Sequence, residues 1–292
     1  MAKGIQTYKV ADFCFEVEGL PLDPANLQPF KVDSCNQEPI FNLKVVPELP
    51  ETESALIYKT PEREGLPVTA LYSKNGGYLF EMQTRPGKPI AAKMITDSQF
   101  NNAALTVLGT EPNYSIKTAL MLLFTFNTAK RGALEIHASA VIQDGKGYLF
   151  LGKSGTGKST HSQLWLNHIP NSELLNDDNP ILRLLPDRTV RVYGSPWSGK
   201  TPCYKAQDAP VGAIVHLSQA KQNMIERLPL IQAYASLLTS CPSFRPINSL
   251  AEGWHHTMEG ICAAVPFYRL ECLPNKEAAL LCHQTVTNNN QI

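Results

Sequence analysis

Gly152-Lys153-Ser154-Gly155-Thr156-Gly157-Lys158-Ser159-Thr160 meets the phosphate-binding P-loop pattern at every specified position: a glycine, four free residues, then Gly-Lys-Ser. Gly147-Tyr148-Leu149-Phe150-Leu151 runs into it and reads as a buried strand, and Ser159 through Leu166 reads as the helix that follows. The glycines let the backbone turn tightly and aim N–H groups at phosphate oxygens, at the positive end of that helix. In such a loop Lys158 reaches the β- and γ-phosphates and the Ser159 hydroxyl coordinates Mg²⁺, with Lys153, Ser154, Thr156 and Thr160 completing the cradle. The competing reading is a Gly-rich strand-to-helix turn that binds nothing. The strand before and the helix after favour a nucleoside triphosphate site, expected to take ATP or another NTP with Mg²⁺.

Just upstream, Leu134 to Ile142 reads as a strand and Asp144-Gly145-Lys146-Gly147 as a hairpin turn. A hairpin puts an antiparallel neighbour beside the loop strand, so an α/β mixed sheet is expected, not an all-parallel one. Further strands are expected around Ile181 to Leu185, Val190 to Tyr193, Gly212 to Leu217 and Phe267 to Leu270. Helices are expected over Ala233 to Leu238 and Asn275 to Gln284. Before the loop region, Ser115 to Lys130 reads as a helix that is apolar on most faces, expected to be buried between two halves of the protein. Residues 1 to 110 read as short strands, among them Val10 to Val17, Ile40 to Val46, and Val68 to Tyr72 facing Tyr78 to Met82 across Asn75-Gly76. The expected organisation is a smaller β-rich domain over 1–112, a connecting helix over 113–132, a P-loop domain over 133–286 and a frayed tail over 287–292.

Asp177-Asp178 follows the loop by about twenty residues, directly after Leu174-Leu175. Phosphoryl transfer needs one carboxylate to hold Mg²⁺ and, for a hydroxyl acceptor, another to take its proton. Two adjacent aspartates at a strand end beside the phosphates divide those roles; the bland reading is a solvated acidic turn. His137 lies in the strand that would pair with the loop strand, where a lone histidine is more often a satisfied core residue. Ser198 and Lys200, within Gly194 to Thr201, are candidates to contact phosphate or acceptor, as is Arg245; the alternatives are an ordinary turn and a surface arginine. His255-His256 has no third ligand at metal-like spacing and reads as polar loop or helix surface.

At 292 residues the chain suits one large domain or two ordinary ones. Lys plus Arg balance Asp plus Glu at 26 each, with no basic stripe for nucleic acid and no basic amphipathic segment for an anionic membrane. Seven cysteines without a C-x-x-C pair, and odd in number, favour reduced thiols in a cytosolic protein. The N-terminal residues lack the apolar core of a signal peptide, and the longest apolar run, Ala119 to Phe126, is broken by Thr125 and far short of a membrane span. A cytoplasmic protein is expected, with homo-oligomerisation left open.

Taken together, Ile136-His137-Ala138, Leu149-Phe150-Leu151, the loop from Gly152 to Ser159 and Asn176-Asp177-Asp178 resemble the HPr kinase/phosphorylase family, whose catalytic domain is related to phosphoenolpyruvate carboxykinase. The resemblance implies a mixed-sheet P-loop domain of that type, with Lys158 on the phosphates and Ser159 on Mg²⁺. It also implies that one of Asp177 and Asp178, in the first place Asp178, is the base and that His137 assists it. The loop ends Ser159-Thr160 where those kinases usually carry Ser-Glu, and the N-terminal region is unlike theirs. What carries over is fold and nucleotide binding, not phosphorylation of HPr itself. The expected activity is a Mg²⁺-dependent kinase acting on a hydroxyl, on a protein serine or a small molecule. The alternatives are a nucleotide-binding regulatory module without turnover and a carboxykinase-related NTPase.

Overall fold

The computed structural model describes residues 4–20, 24–199, 201–241 and 247–288. The chain divides into two compact units, Met1–Thr128 and Ala129–Ile292. In the first, β1 (Gln6–Val10), β2 (Phe13–Glu18), β3 (Lys31–Val32), β4 (Asn42–Val45), β5 (Ser54–Lys59), β6 (Val68–Lys74), β7 (Gly77–Gln83), β8 (Ala92–Asp97) and β9 (Asn102–Val107) precede α1 (Pro112–Thr128). They form one sheet in the order β3-β1-β2-β4-β9-β8-β7-β6-β5. The Asn75-Gly76 turn joins β6 to β7 with Lys74 opposite Gly77, and Gly76 takes φ 75°. Val10 to Val17, expected as one strand, is instead a hairpin: Ala11 and Asp12 sit at φ 47° and 62° and fold β1 back on β2. α1 packs on this sheet, with Phe126 stacked 5.7 Å from Phe80 and Asn127 Nδ2 donating to the Phe100 carbonyl at 2.9 Å. Cys14 and Cys35 form a disulfide, which corrects the expectation that every thiol is reduced. The chain brings their Cα atoms to 6.5 Å, within bridging range, a proximity that sequence spacing does not reveal.

The second unit contains β10 (Ala133–Glu135), β11 (Ala138–Gln143), β12 (Lys146–Leu151), α2 (Lys158–His168), β13 (Ser172–Asp178), β14 (Ile181–Leu184), β15 (Val190–Tyr193), β16 (Asp208–Gln219), β17 (Met224–Arg227), α3 (Leu230–Ser240), α4 (Asn248–Ala264), β18 (Phe267–Cys272) and α5 (Lys276–Asn288). Its strands run β10-β14-β15-β16-β12-β11-β13, with β18 also paired to β16 and β17 to β18. The sheet is mixed: β12 is parallel to β16 and antiparallel to β11. The reason is local. Asp144 and Gly145 both take positive φ, 46° and 76°, as a two-residue type I′ turn requires, and Gln143 pairs Lys146 across it. Of the two readings left open for His255-His256, polar loop or helix surface, α4 gives the second: Leu250, Trp254, Met258 and Ile261 recur at helical spacing and are buried, while His255 and His256 face out. α5 runs through Asn288, into residues expected to fray. No helix among the described residues is long and apolar enough to cross a membrane.

The core beneath the loop helix centres on Trp165, fully buried between Tyr148 and Phe150 at ring separations of 5.1 and 5.4 Å. Its indole N–H donates to His161 Nε2 at 3.2 Å, which keeps that nitrogen unprotonated. His161 is 3% exposed, and burial pulls its pKa down to about 4. The unfolded chain therefore binds a proton near pH 6.5 that the folded one refuses until about 4, so the cost is absent above 6.5 and complete below 4. Acidification from pH 7 to 4.5 should remove about 2–3 kcal/mol of stability through this residue. Urea unfolding of wild type and His161→Gln at both pH values checks it: the wild type should lose more by about that amount, and equal losses would refute it.

Candidate functional site

β12 ends at Leu151 and the chain turns through Gly152, at φ 145°. A Cβ there would lie 2.6 Å from Thr156 Oγ1 and 3.1 Å from the Leu217 carbonyl, so only glycine fits. Thr156 closes the loop through its N–H and hydroxyl, both donating to the Lys153 carbonyl at 3.1 and 2.7 Å. Gly155 and Gly157 also take positive φ, 83° and 101°, and no side chain caps α2 at Gly157. Its first N–H groups thus face the loop's concavity, where an anion is favoured. Lys153, Ser154, Ser159 and Thr160 lie on the exposed side of this turn. Gly152→Ala should cost about 2–3 kcal/mol, from strain and close contact together, measurable by urea unfolding; an unchanged midpoint would contradict the steric account.

Lys158, buried at the first turn of α2, extends its ammonium back under the loop. It donates to the Gly152 carbonyl at 3.0 Å and lies 3.0 Å from His137 Nε2. On the other side of that ring, His137 Nδ1 is 2.8 Å from Asp178 Oδ1. The tautomer that satisfies both contacts carries its proton on Nδ1, so the lysine donates into the ring and the ring donates to the carboxylate. Burial lowers the Lys158 pKa, with Asp178 and then Asp177 opposing. Ser159 Oγ donates to Asp177 Oδ1 at 2.9 Å, which puts a loop hydroxyl and a strand carboxylate side by side. The pairing of β11 with β13 produces this convergence, since Ala138 faces Asp178 and Ser139 faces Asp177 immediately after His137.

Asp178 itself sits at φ 129°, a region that strongly disfavours a residue with a side chain. Strain of this kind, worth on the order of 1–3 kcal/mol, persists only where the surroundings impose it. Here they do. Gly199 N donates to the Asp177 carbonyl at 2.8 Å, and a Cβ on Gly199 would lie 3.0 Å from that of Asp178. Asn176, fully buried, donates to the Ser195 and Trp197 carbonyls at 3.3 Å each and accepts from Asn179 N at 3.0 Å. Asn179 Nδ2 in turn donates to Asp178 Oδ2 at 3.0 Å.

Ser198, a candidate phosphate or acceptor contact, is 3% exposed and donates its hydroxyl to the Asp177 carbonyl at 3.0 Å. It fastens the loop to the strand instead of facing a ligand. Lys200 and Arg245 lie outside the described residues. Two residues not singled out in the sequence also belong to this neighbourhood. His216 on β16 pairs with Leu151, donates or accepts at the Ser236 hydroxyl across 2.7 Å, and has its pKa lowered by burial, then by Arg269 and Lys158. Arg269 pairs with it on β18. Beside the loop lies a cleft of about 490 Å³, apolar on one side where Leu164, Leu217, Cys272 and Leu273 meet, with Thr156 and Thr160 at its edge.

Among the described residues no cluster of three His, Cys, Asp or Glu side chains could hold a metal alone. A serine hydroxyl and two carboxylates on hard oxygen suit Mg²⁺, which keeps waters and takes its remaining ligands from substrate phosphates.

Residues 81–184 match the family model of phosphoenolpyruvate carboxykinase. Over 95 residues, 32% of this chain, the protein is 35% identical to phosphoenolpyruvate carboxykinase (ATP) 2 of Salinibacter ruber, and it spans 17% of that relative's length. Among solved structures, the Hpr(Ser) kinase/phosphatase from Coxiella burnetii aligns over 53% of this chain and 95% of its own, with 13% identity and a TM-score of 0.32. The segment matched by the carboxykinase model carries the phosphate loop, His137 and Asp177-Asp178, and over it the chain is similar to phosphoenolpyruvate carboxykinase.

Proposed function

We propose that the protein is a Mg²⁺-dependent phosphotransferase that moves the γ-phosphoryl group of ATP to a hydroxyl, on a protein serine or a small molecule, with residues 133–286 as its catalytic domain. The observation that carries this reading is the contact chain Lys158–His137–Asp178, laid across the mouth of the phosphate loop. Lys158 and the loop N–H groups hold the β- and γ-phosphates, and the adjoining cleft takes the base. Ser159 and Asp177 would hold Mg²⁺, which when bound neutralises charge on the phosphate oxygens. Asp178 takes the proton of the acceptor hydroxyl as its oxygen attacks the γ-phosphorus, and ADP departs with its charge met by Lys158. His137 positions that carboxylate and holds its unprotonated oxygen toward the acceptor. An ATP-using enzyme belongs in the cytoplasm, and the Cys14–Cys35 disulfide stands in tension with that compartment.

The carboxykinase match favours a second reading, an NTPase related to that enzyme. The two separate on the product. Calorimetry with ATP and Mg²⁺, followed by transfer of labelled γ-phosphate from ATP to lysate proteins and to free hydroxy amino acids, is expected to give binding and a labelled acceptor. Release of inorganic phosphate with no labelled acceptor supports the NTPase, and absence of ATP binding ends both readings.

A further inference from the structure

A single cross-strand row runs past the start of the phosphate loop. Asp178 pairs with Ala138, Ala138 with Leu151, Leu151 with His216, and His216 with Arg269. His137 directly precedes Ala138, so Leu151, the last residue before Gly152, has a histidine-bearing segment on either side. Only one of those histidines has a place in the proposed transfer.

Successive side chains of a strand point to opposite faces, which decides where the His216 ring goes. Ala213, Val215 and Leu217 on β16 join the core beneath α2, with Trp165 and Cys282. His216 therefore projects from the other face, toward α3. There the Ser236 hydroxyl, on a residue 8% exposed, lies 2.7 Å from His216 Nδ1. The same turn of α3 also fixes His137. The Ser240 carbonyl accepts from His137 N at 2.7 Å, and the Ser240 hydroxyl donates to the Ser236 carbonyl at 3.1 Å. One helical turn, about 6 Å along its axis, thus spaces the two histidines around Leu151.

With Nδ1 taken by Ser236, Nε2 is what the ring has to offer, and it makes no hydrogen bond to a described residue. Arg269, the next side chain in the row, is already engaged by Glu226 and Gln232 at 3.3 Å each. Burial, then Arg269 and Lys158, lower the His216 pKa, so the ring is neutral at pH 7. A neutral ring that accepts the Ser236 proton at Nδ1 carries its own proton on Nε2, and is a donor there.

We propose that His216 is a further catalytic residue, its Nε2–H donating to an oxygen of the γ-phosphoryl group from the side of Leu151 opposite His137 and Asp178. Ser236 is the positioning residue that fixes the tautomer. The inference rests on the phosphotransferase reading. No proton leaves the ring: the acceptor oxygen bonds to phosphorus as the bond to the ADP oxygen breaks, and Asp178 keeps the acceptor's proton. The imidazole meets charge on the oxygens in transfer, a preorganised donor outside water.

The test uses the full chain, with circular dichroism to verify that each variant is folded. His216→Leu should lower kcat about a hundredfold and leave ADP affinity within twofold. His216→Gln, whose amide keeps an N–H near the Nε2 position, should recover at least tenfold of that loss. Ser236→Ala should fall between wild type and His216→Leu. In ¹⁵N imidazole spectra His216 should carry its proton on Nε2, and that signal should move with ATP and Mg²⁺ but not with ADP and Mg²⁺. Wild-type turnover by folded His216→Leu, a proton on Nδ1, or equal shifts with ATP and ADP overturns the assignment. Failure of the wild type to transfer phosphate defeats the functional reading and leaves the comparison of ATP with ADP to decide the contact.

Discussion

Lys158→Met is expected to lower phosphate transfer by on the order of a thousandfold while leaving the free protein as stable as before, or slightly more so. Both halves come from the same environment. The ammonium lies buried under the loop, 3.0 Å from the Gly152 carbonyl, where it can meet phosphate oxygens with little water between. Burial also lowers its pKa, and the aspartates nearby only partly oppose this. A base whose folded pKa lies below its unfolded one carries a cost that is complete below the folded value and absent above the ordinary one. Below its folded pKa the chain therefore holds that cation at a penalty, which the apolar side chain of methionine removes. Steady-state transfer rates and urea unfolding without nucleotide test the two halves separately. A variant that transfers phosphate at wild-type rate would remove Lys158 from the mechanism, and one that unfolds early would make the lysine structural.

Asp178→Asn should keep ATP binding within a few-fold and reduce transfer by about 10²- to 10⁴-fold, because the amide cannot take the acceptor's proton. The substitution is conservative for the backbone, since asparagine is among the side chains that best tolerate positive φ. It also leaves an oxygen to accept from His137 Nδ1, now 2.8 Å from Asp178 Oδ1. Its new amide would face Asn179 Nδ2, which donates to Asp178 Oδ2, so Asn179 must turn its own amide over. Calorimetry and transfer assays run side by side distinguish the readings. Retained binding with lost transfer supports a base. Unchanged transfer excludes that role, and if wild type and variant bind ATP alike with no turnover in either, the chain is a nucleotide-gated module.

Much of the fold was legible because its decisive features are local. The loop glycines, the Asp144-Gly145 turn and the apolar run Tyr148 to Leu151 fix a mixed sheet within a few residues of one another. The nearness of His137 to the strand ending at Asp178 is one step further, since β11 must pair on both sides. What escaped depends on partners far along the chain. His216 reaches the site because β16 lies parallel to β12, a register that no short window of sequence encodes. Ser198 looked like a ligand because serine between glycines is common around phosphate; its burial follows from Asn176, which gathers the carbonyls of that loop. The Cys14–Cys35 pair hid behind an odd cysteine total, and the turn at Ala11-Asp12 behind residues that rarely take positive φ.

All three tryptophans, Trp165 on the loop helix, Trp197 beside Asp177 and Trp254 on α4, are buried in the second unit, and the first has none. Tryptophan emission is therefore an optical channel confined to the P-loop unit, whereas far-ultraviolet dichroism sums over both. Two denaturation curves recorded by these signals coincide only if the units melt together. Where they part, the difference between them traces the unfolding of the β-rich unit, read without a label and without cutting the chain.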